Sequence, residues 1–271
     1  MGSDAVVLQA QTITDPTRRL ISRLQDQLPH WLTLHVVGYD PDNVGSHPID
    51  GATHHQVLGP DDLGSRPRKI KPDETRPSLV PGNVDWLMLS VAAHHPDYDH
   101  IWWIEDDVRY GGSWRRLFRT LRFREADLLT THLRARADDE TWHWWPEADT
   151  PATTEYAAFM PFGRISRPGI DAVERAYAEG WRGHAESFVP TAVAHAGLIL
   201  DDITDFYTAD SFRFRPFHLP AQVGGKLLWH PVRSPRSQAR RHRNQRISRE
   251  AARESTPASP APDKPSAMSQ S

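Results

Sequence analysis

Cysteine is absent from the 271 residues, which removes disulfides, thiolate metal ligands and cysteine nucleophiles together. No apolar run approaches the length of a membrane span. The two glycine patterns that cradle phosphates, the P-loop and the dinucleotide fingerprint, are both missing. Excess charge is missing as well. Lys and Arg number 32 against 35 Asp and Glu, a formal charge of -3, so no nucleic-acid partner is expected. Met1 to Gln11 has no basic start followed by a long apolar stretch, and Val6 stands where a myristoylation signal has Ser or Thr. A cytoplasmic protein with no membrane span is the expectation.

Tryptophan, by contrast, is plentiful. Ten of them demand a large core or a stacking surface. The length suits one α/β domain of ordinary size. Residues 1–233 read as that domain and 234–271, rich in Arg, Pro, Ser and Ala, as a disordered tail. Six arginines and no acid lie between Arg236 and Arg249, where an anionic partner or plain solvation both fit.

After a ragged start, Asp15 reads as an N-cap with Pro16 at the first helical position, and Leu20, Ile21, Leu24 and Leu28 keep helical spacing. Trp31 to Val37 reads as the first strand, with Tyr39-Asp40 at its carboxyl end. A nucleotide contact and an ordinary turn both suit Asp40. Residues 42–82 have the composition of a long loop, either a functional flap or poorly ordered, whose Arg66, Arg68, Lys69, Lys71 and Arg76 could lie near a diphosphate. Asn83 reads as the cap of a helix carrying Val84, Leu87, Met88 and Val91 on one face.

The chain then reaches Ile101-Trp102-Trp103-Ile104, four bulky apolar residues without alternation, as in a strand buried on both faces of a parallel sheet. Three acids end it: Glu105, Asp106 and Asp107. Alternation along a strand points Glu105 and Asp107 one way and Asp106 the other. Ligands of open α/β sheets bind beyond the carboxyl ends of the strands, so the first pair forms a hard-oxygen site suited to Mg²⁺ or Mn²⁺ on substrate phosphates.

Farther on, Ser113 caps an amphipathic helix, Ala126 to Thr131 and Ala157 to Ile165 read as strands, and Ser166 with Pro168 opens a helix that Gly180 stops. Trp142, Trp144 and Trp145 fill a loop that either stacks sugar or base rings or seals the sheet edge. Pro190 reads as the opening of a further helix, Gly197 to Leu200 as a short strand and Leu227 to Val232 as the last apolar segment. The alternation predicts a mostly parallel, doubly wound, Rossmann-like sheet flanked by helices.

Three features in this order resemble the GT-A family of metal-dependent, nucleotide-sugar glycosyltransferases: Pro96 to Asp107, Gly183-His184-Ala185-Glu186 before Pro190-Thr191, and Trp229-His230-Pro231-Val232. The resemblance spans about Asn83 to Val232. It implies a GT-A-type fold, Mn²⁺ or Mg²⁺ on Glu105, Asp107 and His230, and a nucleoside-diphosphate sugar, a UDP-sugar foremost, near Asp40, Glu105 and Asp106. It also implies Glu186 as the base toward an unspecified acceptor hydroxyl. The first strand lacks the family's nucleotide-binding pattern, and Glu186 is a lone acid where many relatives carry a pair. A metal-dependent phosphohydrolase or nuclease using the same carboxylates, or a non-catalytic sugar- or nucleotide-binding domain, is the alternative. As a base, Asp201 and Asp202 come next after Glu186.

Overall fold

The opening residues, read as ragged, are the middle of the molecule. In the computed structural model, which describes residues 3–10, 13–39, 54–58, 82–214 and 217–233, Ser3–Gln9 is strand β1 and everything from Asp4 to Gln9 is buried. It pairs in parallel with β2 (Leu32–Tyr39) on one side and with β4 (Tyr98–Glu105) on the other. Ala5 to Leu8 form an unbroken apolar run because a strand in that position meets helices above and below.

A further strand, β3 (His54–Leu58), adds to the far side of β2. It falls inside the stretch read as a long loop, either a functional flap or poorly ordered. The rest of 42–82 other than Gly82, together with Asp40 and the tail 234–271, lies outside the described residues. With β6 (Leu128–Ala135), β7 (Tyr156–Ser166) and β8 (Leu200–Asp202) the sheet has seven strands in the order β3-β2-β1-β4-β7-β6-β8. Six run one way and β7 opposes them. The expected doubly wound, mostly parallel α/β sheet is what the chain forms.

Helices cover both faces. On one side lie α2 (Asp85–His94), α4 (Arg167–Ala178) and α5 (Ala185–His195), and on the other α1 (Asp15–Gln27) and α3 (Trp114–Leu121). A short sixth helix, α6 (Thr204–Tyr207), follows β8. β4 feeds both layers in strict alternation: Ile101 and Trp103 join the α2–α4–α5 core, Trp102 and Ile104 the α1–α3 core. Trp103 lies across β7 at Gly163, and its Nε1–H donates to the Met160 carbonyl at 2.7 Å. A Cβ at Gly163 would overlap the indole, so only glycine admits it.

Several local expectations shift. Thr14, not Asp15, caps α1, leaving Asp15 in the first turn where an acid complements the helix dipole. α2 starts after Val84 and is buried nearly all round, not along one stripe, because it fills the space over β1, β2 and β4. Pro190 lies inside α5; the helix starts earlier, capped by His184, whose Nδ1 accepts from the Glu186 N–H at 3.3 Å. That cap and the burial of Ala185, Phe188 and Val189 outweigh the one hydrogen bond a proline forfeits. Ser166 caps α4 and Gly180, at φ 84°, ends the turn after it, both as read.

Candidate active site

The order of the strands puts the topological switch point between β1 and β4, where the connection from β1 leads one way, to β2, and β4 lies the other way. Gln9 ends β1, Glu105 ends β4, and the two are register partners. The Asp106 N–H donates to the Gln9 carbonyl at 3.0 Å, and the Gln9 amide reaches across to the Val84 carbonyl, also at 3.0 Å. The acidic turn is thereby fixed to the strand beside it.

Beyond the turn, β5 (Arg109–Tyr110) pairs antiparallel with β9 (Leu228–Trp229). This two-residue pairing, continued by the Val232 N–H donating to the Asp107 carbonyl at 2.8 Å, brings His230 onto the acids. His230 Nε2 stands 3.1 Å from Asp107 Oδ1 and 3.3 Å from Glu105 Oε2. Its Nδ1–H donates to the Arg213 carbonyl at 3.2 Å, which fixes the ring so that Nε2 faces the carboxylates. Phe159 and Phe212 pack against the ring at 5.2 and 5.8 Å. The imidazole side chain is 5% exposed and the Glu105 carboxylate side chain 30%, so the cluster is closed by histidine and open at the acids. Burial opposes the imidazolium, yet the Asp107 charge and the hydrogen bonds to both carboxylates lift the His230 pKa to about 10.

Among the described residues this is the only group of three such side chains able to hold a metal, with ligand atoms within 4.8 Å of one another. That span is about twice a metal–oxygen bond of roughly 2.1 to 2.4 Å. Two carboxylates and an imidazole form a hard to borderline donor set that fits Mg²⁺ or Mn²⁺ and leaves positions for phosphate oxygens.

Asp106 does turn the other way. Its carboxylate accepts from the Thr17 hydroxyl at 3.1 Å, at the start of α1, and does not join the cluster. Burial, then the neighbouring charge of Asp107, pushes its pKa up to about 7. Arg109 ties the same turn down by donating to the carbonyls of Asp106, Val108 and Pro16. Thr17 and Gln9 support the site; Thr17 follows a helix start legible in the sequence, whereas Gln9 ends a strand that the sequence reading missed.

Glu186 stands in the first turn of α5, on the same side of the sheet as Glu105. Its Oε1 accepts from the Met160 N–H at 3.4 Å. Burial, followed by the Glu105 charge, raises its pKa to about 7. Trp144 stacks on His184 at 4.7 Å and Trp142 meets that ring edge-on, so the half-buried part of the tryptophan loop flanks Glu186. Trp145 is buried and donates to the Asp139 carbonyl, a sealing role. The reserve acids are engaged elsewhere. Asp202 accepts from the Leu133 and Thr204 N–H groups and the Thr204 hydroxyl, and Asp201 pairs with Arg124 at 3.3 Å.

No protein-family model and no curated protein matches the chain. Solved structures similar to it include glycosyltransferases of the GT-A type. One is the galactosyltransferase LgtC in complex with donor and acceptor sugar analogues, at 12% identity and TM-score 0.42, covering 80% of this chain and 76% of that one. Another is mouse xyloside xylosyltransferase 1 in its apo form, at 10% identity and TM-score 0.35, covering 76% and 86%. The likeness is one of fold alone. Among the described residues no helix is long and apolar enough to cross a membrane.

Proposed function

We propose that the chain is a glycosyltransferase that moves a sugar from a nucleoside-diphosphate donor, a UDP-sugar foremost, to an acceptor hydroxyl. The observation that carries this reading is the convergence of Glu105, Asp107 and His230 at the sheet's switch point, with Glu186 on the same side. Glu105, Asp107 and His230 would hold Mn²⁺ or Mg²⁺. When bound, that cation neutralises charge developing on the departing diphosphate.

Glu186 takes the proton of the acceptor hydroxyl as its oxygen bonds to the anomeric carbon. The bond from that carbon to the diphosphate oxygen breaks, and the diphosphate leaves with the electron pair. A carboxylate with a pKa of about 7 is matched to that task near neutral pH. Asp106 keeps the turn in place through Thr17 and contributes to donor binding by holding Glu105 and Asp107 in register.

A two-metal phosphohydrolase or nuclease is less well supported, because Asp201 and Asp202 are spent on structure. Incubation with Mn²⁺ and a panel of nucleotide sugars tests the assignment. Slow, chelator-sensitive hydrolysis of at least one donor is expected. Degradation of a nucleic acid under the same conditions, with every donor left intact, would overturn it.

A further inference from the structure

One residue beside the site is held in a backbone conformation uncommon outside glycine. Among the described residues His132 alone, other than glycine, has a positive φ, 52°. It sits where the β6–β7 ladder slips register between Thr131 and Arg134. The slip is enforced from outside the strand. The His132 N–H donates to Thr204 Oγ1 at 2.6 Å, and the Leu133 N–H to Asp202 Oδ2 at 2.9 Å. Left-handed backbone is uncommon for any residue but glycine, although histidine adopts it more readily than most, and here it is held by these two bonds.

The ring is also fixed. It lies parallel to Phe212 at 6.3 Å and edge-on to Phe159 at 5.9 Å, the same two rings that wall His230. Orientation by restraint and packing would normally serve a hydrogen bond, yet none is made. Nδ1 is buried without a partner, and no described group bonds either ring nitrogen. Burial pulls the pKa below the ordinary histidine value, so near neutral pH the ring is uncharged, with one donor and one acceptor nitrogen. A hydroxyl, which also donates and accepts, complements such a ring. A phosphate, which only accepts, would be better met by a cation.

We propose that His132 is a substrate-contact residue whose imidazole hydrogen-bonds a hydroxyl of a sugar bound beside Glu105, Asp107 and His230. This rests on the glycosyltransferase reading above. The sugar is that of the donor or of the acceptor, and the two sources can be separated.

The test follows the ¹⁵N-labelled histidine ring signals of the full chain with Mg²⁺ present. Uridine diphosphate, a panel of UDP-sugars and a panel of methyl hexosides are added in turn. The His132 signals should stay in place with uridine diphosphate and move with a sugar-bearing ligand. Movement with a UDP-sugar assigns the donor, and movement with a hexoside assigns the acceptor. In His132→Phe, which keeps a ring between Phe159 and Phe212, affinity for that ligand should fall about tenfold, the loss of one hydrogen bond, while uridine diphosphate binds as before. His132→Asn, which suits the left-handed backbone and keeps a polar group, should recover part of the loss. Ring signals unmoved by every sugar, or equal losses for uridine diphosphate and the sugar ligand, would overturn the inference. Failure of the wild type to bind uridine diphosphate would count against the glycosyltransferase reading instead, with the hexoside arm still deciding the role of His132.

Discussion

Loading the site with Mn²⁺ near neutral pH should release one proton per ion, and that proton comes from His230. Its Nε2 lies between Asp107 at 3.1 Å and Glu105 at 3.3 Å. Burial disfavours the imidazolium, but the two carboxylates hold it and the pKa stands at about 10. Only the neutral ring can ligate, so the metal must displace the proton. Below that pKa the competition weakens apparent metal affinity, and the more so the lower the pH. Affinity should therefore rise about tenfold per pH unit from pH 6.5 to 8.5. Calorimetric titrations in buffers of different ionisation enthalpy, such as PIPES and Tris, count the protons directly. His230→Gln should abolish the release and flatten the pH dependence. Stability of the metal-free protein provides a check with a definite sign. The folded pKa is raised, so the contribution of His230 is fully present below the unfolded value of 6.5 and is lost as pH climbs toward about 10. Metal uptake with no proton release, at an affinity unchanged across that range, would refute the reasoning.

Asp107→Asn should lower metal-dependent affinity for uridine diphosphate by on the order of 10- to 100-fold, measured by calorimetry with and without chelator, because a neutral amide replaces the carboxylate most tightly bound to His230. Glu186→Gln should slow transfer by about 10² to 10⁴ while leaving diphosphate affinity near wild type, as steady-state kinetics and titration on one preparation would show. Arg164→Met should cost about 3 to 5 kcal/mol, a fall of roughly 8 to 15 °C in thermal midpoint. The buried guanidinium donates to the carbonyls of Leu121, Arg122, Arg124 and Ala126 and lies over Trp102, and none of those carbonyls regains a donor from methionine.

What could be read from the sequence was what the chain states locally. The run Ile101 to Ile104 is buried on both faces and says so in its composition, and the parity of a strand then sorts Glu105 and Asp107 from Asp106 without further information. Ser166 and Gly180 mark the start of α4 and the turn after it because capping chemistry is a local matter. β1 escaped notice because only its parallel neighbours, distant in sequence, make it central. The strands β5 and β9 are two residues each, too short for any periodicity, so the family resemblance named His230 but nothing in the sequence showed what carries it to Asp107. Pro190 misled because a proline within a helix looks, in one dimension, like a proline that opens one. His132 gave no signal at all, since its backbone is set by Asp202 and Thr204 from another strand and its following turn.

The clasp of β5 on β9 has a consequence for how the protein matures. Glu105 and Asp107 are delivered by β4 and the turn after it, but His230 arrives only when β9 has been laid down and has met β5. Contacts of such long sequence separation form late, after their loop-closure entropy has been met by the rest of the fold. A nascent or clipped chain that stops short of Leu228 therefore has the acids without their histidine. Such a chain offers two of the three candidate metal ligands and should bind a divalent cation more weakly than the complete fold.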